Sequence, residues 1–73
     1  MTPIQRLIKV VLSNRYTCSD IAEWATEANN NKRPADSTVY RWRDGKTDAN
    51  TAVLKAIHDR FQAEGHDAVE GLV

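Results

Sequence analysis

Apolar side chains recur at the spacing of an α-helix in three stretches of the chain. The stripes are Ile4, Leu7, Ile8 and Val11; then Ile21, Trp24, Ala25 and Ala28; then Val53, Leu54, Ile57 and Phe61. Each set lies along one side of a helix. The candidate N-caps that precede the three stripes are, in order, Thr2, then Thr17 or Ser19, and finally Asn50. The pattern therefore predicts three amphipathic helices.

A shorter helix is predicted between the second and the last stripe, from about Asp36 to Asp44, with Asp36 or Ser37 as its cap. Gly45 follows at the position where a helix commonly ends in a left-handed residue. Residues 29–34 read NNNKRP, and asparagine and proline both disfavour helix here, which predicts a turn or loop. No alternating β pattern occurs in the sequence, so the predicted fold class is all-α.

The chain has 73 residues, the size of one small domain whose single core buries only about 60% of the unfolded surface. We assign residues 1–65 to that domain. The glycine-interrupted stretch over residues 66–73 reads as a C-terminal tail. Because such a small core gives marginal stability, association with a second copy would help.

The formal net charge is zero, but it is unevenly distributed. Residues 1–46 hold eight basic and five acidic side chains, whereas residues 47–73 hold two basic and five acidic ones. The halves therefore carry +3 and −3. This division is compatible with one side of the fold facing a polyanion.

Several classes of protein are disfavoured by the side chains present. A lone Cys18 excludes an intrachain disulfide and, with His58 and His66, provides no ligand pair at metal-like spacing. We therefore expect a reducing, cytoplasmic setting and no cofactor. Nothing approaches the roughly 18 apolar residues of a membrane span, and no signal peptide is evident. No nucleophile has a plausible base partner, so we expect neither an enzyme nor a small-molecule site.

Three further side chains have expected structural roles. We expect Tyr16 to pack on the core, and Trp24 to belong to the core or to a dimer surface. We expect His58, next to Asp59 on the last helix, to face solvent. Cys18 is expected to be a small residue at a helix start and not a reactive thiol.

The short third helix has a narrow apolar side. At about 100° per residue, Val39 and Trp42 share one side, and Arg43 lies on the flank. The side chains that project away from the core are Ser37, Tyr40, Arg41 and Asp44. Hydroxyl, phenol and guanidinium groups form hydrogen bonds with base edges and phosphate oxygens, although arginines on a solvated helix are also common on any protein.

The sequence STVYRWRDGKT followed by LKAIHDRF resembles the lambda-repressor and Cro-like (XRE-type) helix-turn-helix proteins. The shared pattern is Val39, Trp42 and Gly45, and DIAEWA resembles the preceding helix, with Ala22 where two helices meet. The resemblance covers about residues 19–61. It implies a four- to five-helix DNA-binding domain, often a dimer on a palindromic operator. By position, it assigns Asp36, Ser37 and Arg41 to base reading, and Lys46 and Thr47 to the DNA backbone.

Two features depart from the family pattern. Ala22 and Val39 are seventeen positions apart, about seven more than usual, so either the second helix is about two turns longer or the turn is an extended loop. The insertion contains Lys32 and Arg33, which either reach a phosphate or the minor groove, or belong to a mobile polar loop. Ala49 replaces a proline that usually precedes the fourth helix.

These observations predict a sequence-specific transcriptional regulator that binds double-stranded DNA. The specific expectation is a homodimeric repressor of the Cro type, such as a phage repressor, that occludes a promoter. The candidate DNA-contacting residues are Lys32, Arg33, Asp36, Ser37, Thr38, Tyr40, Arg41, Arg43, Lys46 and Thr47. One alternative is a protein-interaction module, such as an antirepressor or adaptor, which would present an apolar outward patch on the third helix. Another is an accessory factor that binds DNA with little sequence preference.

Overall fold

Four α-helices form the part of the chain that the computed structural model describes, residues 2–69. Their bounds are α1 Pro3–Ser13, α2 Cys18–Ala25, α3 Asp36–Arg43 and α4 Thr51–Ala63. Residues 2–69 contain no strand. The predicted all-α fold is confirmed, with four helices.

Side-chain caps fix the starts of three helices. The Thr2 hydroxyl accepts a hydrogen bond from the backbone amide three residues later, at 3.2 Å. Thr17 and Asp20 form a capping box, in which each side chain accepts from the other's backbone amide. The Asn50 carboxamide oxygen accepts from the amide of Val53 at 2.8 Å. Each cap satisfies a helix-end donor and is typically worth about 1 kcal/mol.

The start of α3 differs from the expectation. Its N-cap residue is Ala35, which has no side chain able to accept a hydrogen bond, so the assignment of Asp36 or Ser37 as the cap is wrong. Both residues lie inside the helix. The capping position is one residue earlier because Ala35, which follows the buried Pro34, is still extended, with φ −66° and ψ 151°.

The end of α3 is a Schellman motif. The Gly45 amide donates to the Trp42 carbonyl at 3.2 Å, and the Lys46 amide donates to the Arg41 carbonyl at 2.9 Å. Gly45 has φ +74°, the left-handed conformation that this motif requires and that the sequence predicted. The motif fixes the direction in which Lys46 leaves the helix.

All four helices contribute to one core. α1 packs against α3 and α4, and α2 packs against the same two helices. The buried apolar residues are Ile4, Leu7, Ile8, Val11, Ile21, Ala22, Ala25, Val39, Trp42, Val53, Ile57, Phe61 and Val69. The predicted burial of Val39 and Trp42 is confirmed, since Val39 is inaccessible and Trp42 is only 5% exposed.

The connection between α2 and α3 is neither a two-turn helix extension nor a simple loop. α2 ends at Ala25, and a 3₁₀ turn follows at Glu27–Asn29. Asn30 and Asn31 then adopt φ of +58° and +59°. Asparagine enters the left-handed region more readily than other residues with a Cβ, which accounts for the run of asparagines at this reversal.

A histidine and the last described residues complete the core. His58 is only 9% exposed, and its Nε2 accepts a hydrogen bond from the amide of Val69 at 3.0 Å. The expectation that His58 faces solvent is therefore wrong. Residues 66–69 return across α4, and this return buries both the imidazole and the Val69 side chain.

An aromatic cluster holds the same segment. The rings of His66 and Phe61 stack with centroids 4.3 Å apart, and the Tyr16 hydroxyl lies 2.8 Å from His66 Nε2. Tyr16 also meets Trp24 edge-on at 4.9 Å, which confirms that Tyr16 packs on the core. The tail predicted over residues 66–73 is thus packed on the domain as far as Val69. Its remainder, including Leu72 and Val73, lies outside the described residues.

Candidate nucleic-acid interface

The outer side of α3 is a polar surface open to solvent. Ser37, Tyr40, Arg41 and Asp44, the residues opposite Val39 and Trp42, are all exposed. Tyr40, at 44%, is the one large apolar side chain in residues 2–69 that is exposed. We call these four residues the outer face of α3. It presents three hydrogen-bonding groups and one guanidinium, without an apolar patch.

Arg41 has no ion-pair or hydrogen-bond partner for its side chain within residues 2–69, and neither has Lys46. Both side chains are exposed. Arg41 lies in the last turn of α3, and Lys46 lies three residues beyond the helix, in the loop that also carries the exposed Thr47. These two cations are therefore available for an external anion.

Arg43 is engaged within the protein. Its Nε donates to the Asp44 carboxylate at 3.1 Å, and its guanidinium carbon lies 4.9 Å from the centre of the Tyr40 ring. The hydrogen bond to Asp44 raises the pKa of Arg43 above its ordinary value, so the guanidinium remains charged. Arg43 thus contacts Tyr40 and partly neutralises Asp44, two residues of the outer face of α3.

Arg33 connects the starts of α2 and α3. Its Nη2 donates to the Ser19 hydroxyl at 2.6 Å and approaches the Ser19 carbonyl at 3.5 Å. The same nitrogen lies 3.7 Å from the Asp36 carboxylate. The neighbouring Lys32 is exposed, and its carbonyl accepts from the Asn29 side chain at 2.9 Å. The insertion therefore places cations at the N-terminal end of α3.

The structure distributes the ten candidate residues along one helix and its two ends. Lys32 and Arg33 precede α3, and Lys46 and Thr47 follow it. The candidates within α3 are Asp36, Ser37, Thr38, Tyr40, Arg41 and Arg43. Thr38 is half-buried on the flank opposite Arg43. Basic groups thus flank both ends of the outer face of α3.

Two residues of the first turn of α2 border this surface and were not among the sequence candidates. Ser19 is the partner of Arg33, and Cys18 interacts with Arg43, Asp36 and Tyr40. Burial raises the pKa of the Cys18 thiol, and this outweighs the lowering effect of Arg43. The thiol is thus neutral at physiological pH. No local sequence pattern predicts that Cys18 and Ser19 belong to this surface, because the residues they contact there are at least fourteen positions away in sequence.

The described residues contain neither a metal-binding cluster nor a membrane-spanning helix. No cluster of three His, Cys, Asp or Glu side chains in residues 2–69 could hold a metal ion. None of the four helices in that range has the length and apolar character needed to cross a membrane.

Comparison of the chain with models of protein families, with curated proteins and with solved structures found no match. The functional interpretation consequently rests on the residues and geometry of α2, α3 and the segments that flank α3.

Proposed function

We propose that the protein is a sequence-specific DNA-binding transcriptional regulator that inserts α3 into the major groove. The observation that carries the proposal is the unpartnered Arg41 on the exposed, polar outer face of α3. α3 is an exposed helix of 8 residues, and an α-helix with its side chains is about 10–12 Å across, which fits the roughly 12 Å wide major groove. α2 packs against α3, as in a helix-turn-helix of the XRE type.

Each exposed residue of the candidate set has a role in this proposal. Arg41 reads a guanine through O6 and N7, and Ser37 and Tyr40 form hydrogen bonds with neighbouring bases or phosphates. Lys46 and Thr47 contact the sugar–phosphate backbone at the C-terminal end of α3. At the other end, Arg33 and Lys32 approach a second stretch of backbone. Asp36 occupies a base-reading position and also contacts Arg33 at 3.7 Å.

The proposed regulator is a homodimer that acts as a repressor by occluding a promoter. Support comes from α4, whose outward side forms a groove of about 460 Å³ with Leu54 and Ala68 among its lining residues. Lys55 and Asp59 also line it. Under a two-fold axis with antiparallel α4 helices, each lysine faces the partner's aspartate, so the surface is self-complementary. Two α3 helices would then read two halves of a palindromic operator.

Leu54→Arg tests the dimer, because it places a charge in the apolar part of this groove. Sedimentation should show a dimer for the unmodified protein and a monomer for this variant. Ala52→Arg adds the same charge at an exposed position of α4 outside the groove, and it should remain dimeric. A monomeric unmodified protein at high micromolar concentration would contradict the dimer.

The interaction-module alternative has less support. Its signature would be an apolar patch on the outer face of α3, whereas Tyr40 is the only large apolar side chain there and it lies against Arg43. The proposed function requires no cofactor, metal or small-molecule ligand.

Selection of bound duplexes from a random-sequence DNA library tests the proposed function. We expect one enriched motif, followed in titrations by an affinity that falls with salt by a slope of about −0.9 for each phosphate contacted. Equal affinity for enriched and unselected DNA would favour the accessory-factor alternative. Absence of DNA binding at low salt would exclude both the sequence-specific regulator and the accessory factor. The protein-interaction module would then be the remaining hypothesis.

A further inference from the structure

A second groove lies between α2 and α4, and the proposed DNA contacts do not use it. It has a volume of about 550 Å³ and is lined on one side by Glu23, Trp24 and Glu27, and on the other by Ala56, Asp59 and Ala63. We call it the α2–α4 groove. No residue of α1 or α3 lines it, so an occupant would leave the outer face of α3 accessible.

The shape of the α2–α4 groove suits a helix. Ala56 and Ala63 are seven residues apart on α4, and their small side chains allow another backbone to approach closely. Trp24 is half-buried, with one edge packed on Tyr16 at 4.9 Å and the remainder bordering the groove. A rigid, partly exposed tryptophan in a concave site is a typical anchor point in protein interfaces.

The charge of the α2–α4 groove specifies the chemistry of its occupant. Glu23, Glu27 and Asp59 are exposed and form no ion pair within residues 2–69. The one cation in the lining, Arg60, is bound to Glu64 at 2.9 Å. Glu23 and Glu27 thus remain unneutralised, also in the proposed dimer, in which Asp59 faces a lysine of the second copy. A second copy that docked through the same groove would bring like charges together, so we exclude a symmetric dimer here.

We propose that the α2–α4 groove binds a short amphipathic helix of another protein, in which lysine or arginine residues flank an apolar anchor. The apolar residue would contact Trp24 and the alanines, and the cations would face Glu23 and Glu27. The distance from Ala56 to Ala63 corresponds to about 10 Å of helix, so two to three turns of the partner are sufficient. This proposal is independent of DNA binding by α3.

A synthetic 14-residue amphipathic peptide of leucine and lysine provides the probe, with a leucine–glutamate peptide of the same pattern as its control. Amide and indole NMR shifts of the full chain should change on addition of the lysine peptide at Trp24, Ala28, Ala56 and Ala63. The glutamate peptide should produce no such changes. The proposal would be overturned if millimolar lysine peptide changed no NMR shifts, or if the shift changes were centred on another face of the protein.

Three variants test the contacts. Glu23→Gln with Glu27→Gln preserves size and should weaken peptide binding about fivefold or more at low salt. Asp48→Asn with Asp67→Asn removes two exposed charges outside the α2–α4 groove and should change affinity less than about twofold. Ala63→Trp fills the groove without changing charge and should abolish binding. Equal weakening by both charge-neutralised pairs, or unimpaired binding to the Ala63→Trp variant, would contradict docking in the groove.

Discussion

Replacement of Gly45 by alanine should destabilise the domain through backbone strain. Gly45 ends α3 with φ +74°, and an L-residue in the left-handed region costs about 1–2 kcal/mol. The new Cβ would also lie 2.9 Å from Oε1 of Gln5. That atom is the far end of a flexible side chain on α1, so its displacement should add less than about 1 kcal/mol. We expect a total loss of about 2 kcal/mol, or roughly 8–15 °C in Tm.

Urea denaturation of Gly45→Ala, Gln5→Ala and the double variant separates strain from contact. If strain dominates, Gly45→Ala should cost nearly the same in either background, to within about 0.5 kcal/mol. Gly65→Ala is the matched control, because Gly65 has φ +99° but no atom within 4 Å of an added Cβ. The free energy of unfolding of Gly65→Ala should therefore fall through backbone strain alone. Complete recovery of stability in the Gln5→Ala background would refute the strain account.

Three other predictions concern the core and the thiol. Trp42→Ala should lower the free energy of unfolding by about 3–5 kcal/mol in urea titrations, since it empties the main contact of α3 with the core. His58→Leu should cost about 1–3 kcal/mol and speed hydrogen exchange of the Val69 amide, which loses its acceptor, whereas His58→Gln should retain part of the protection. Because burial raises the pKa of Cys18, the rate of its alkylation by iodoacetamide should rise at higher pH in the folded protein than in urea.

The helices could be predicted because their signals are local. Thr17 and Asn50 each accept a hydrogen bond from the backbone amide three residues later. The spacing of Val39 and Trp42 defines the buried side of α3 without reference to the rest of the chain. Gly45 likewise marks a helix end from its own backbone preference. The exposure of the outer face of α3 follows directly from the same geometry.

Contacts between distant positions could not be predicted in this way. The burial of His58 depends on residues 66–69 returning across α4, and no helical pattern encodes that return. The contact of Arg33 with Ser19 joins residues fourteen positions apart, across an insertion whose path is set by two left-handed asparagines. Ala35 is the N-cap of α3 although its side chain can accept no hydrogen bond. Its position as the cap is set by the backbone conformation of the preceding segment, which the residue type does not reveal.

The most direct test of DNA readout by α3 compares Arg41→Ala with Lys46→Ala. Affinities are measured for the duplex enriched by selection and for random DNA, at one salt concentration. Loss of a bidentate guanine contact costs about 1–3 kcal/mol at the specific site, and loss of a phosphate contact weakens all sequences alike. We therefore expect Arg41→Ala to reduce affinity for the enriched duplex about 5- to 150-fold and for random DNA much less, and Lys46→Ala to reduce both similarly. Unchanged affinity of Arg41→Ala for the enriched duplex, with unchanged circular dichroism, would contradict direct readout by this helix.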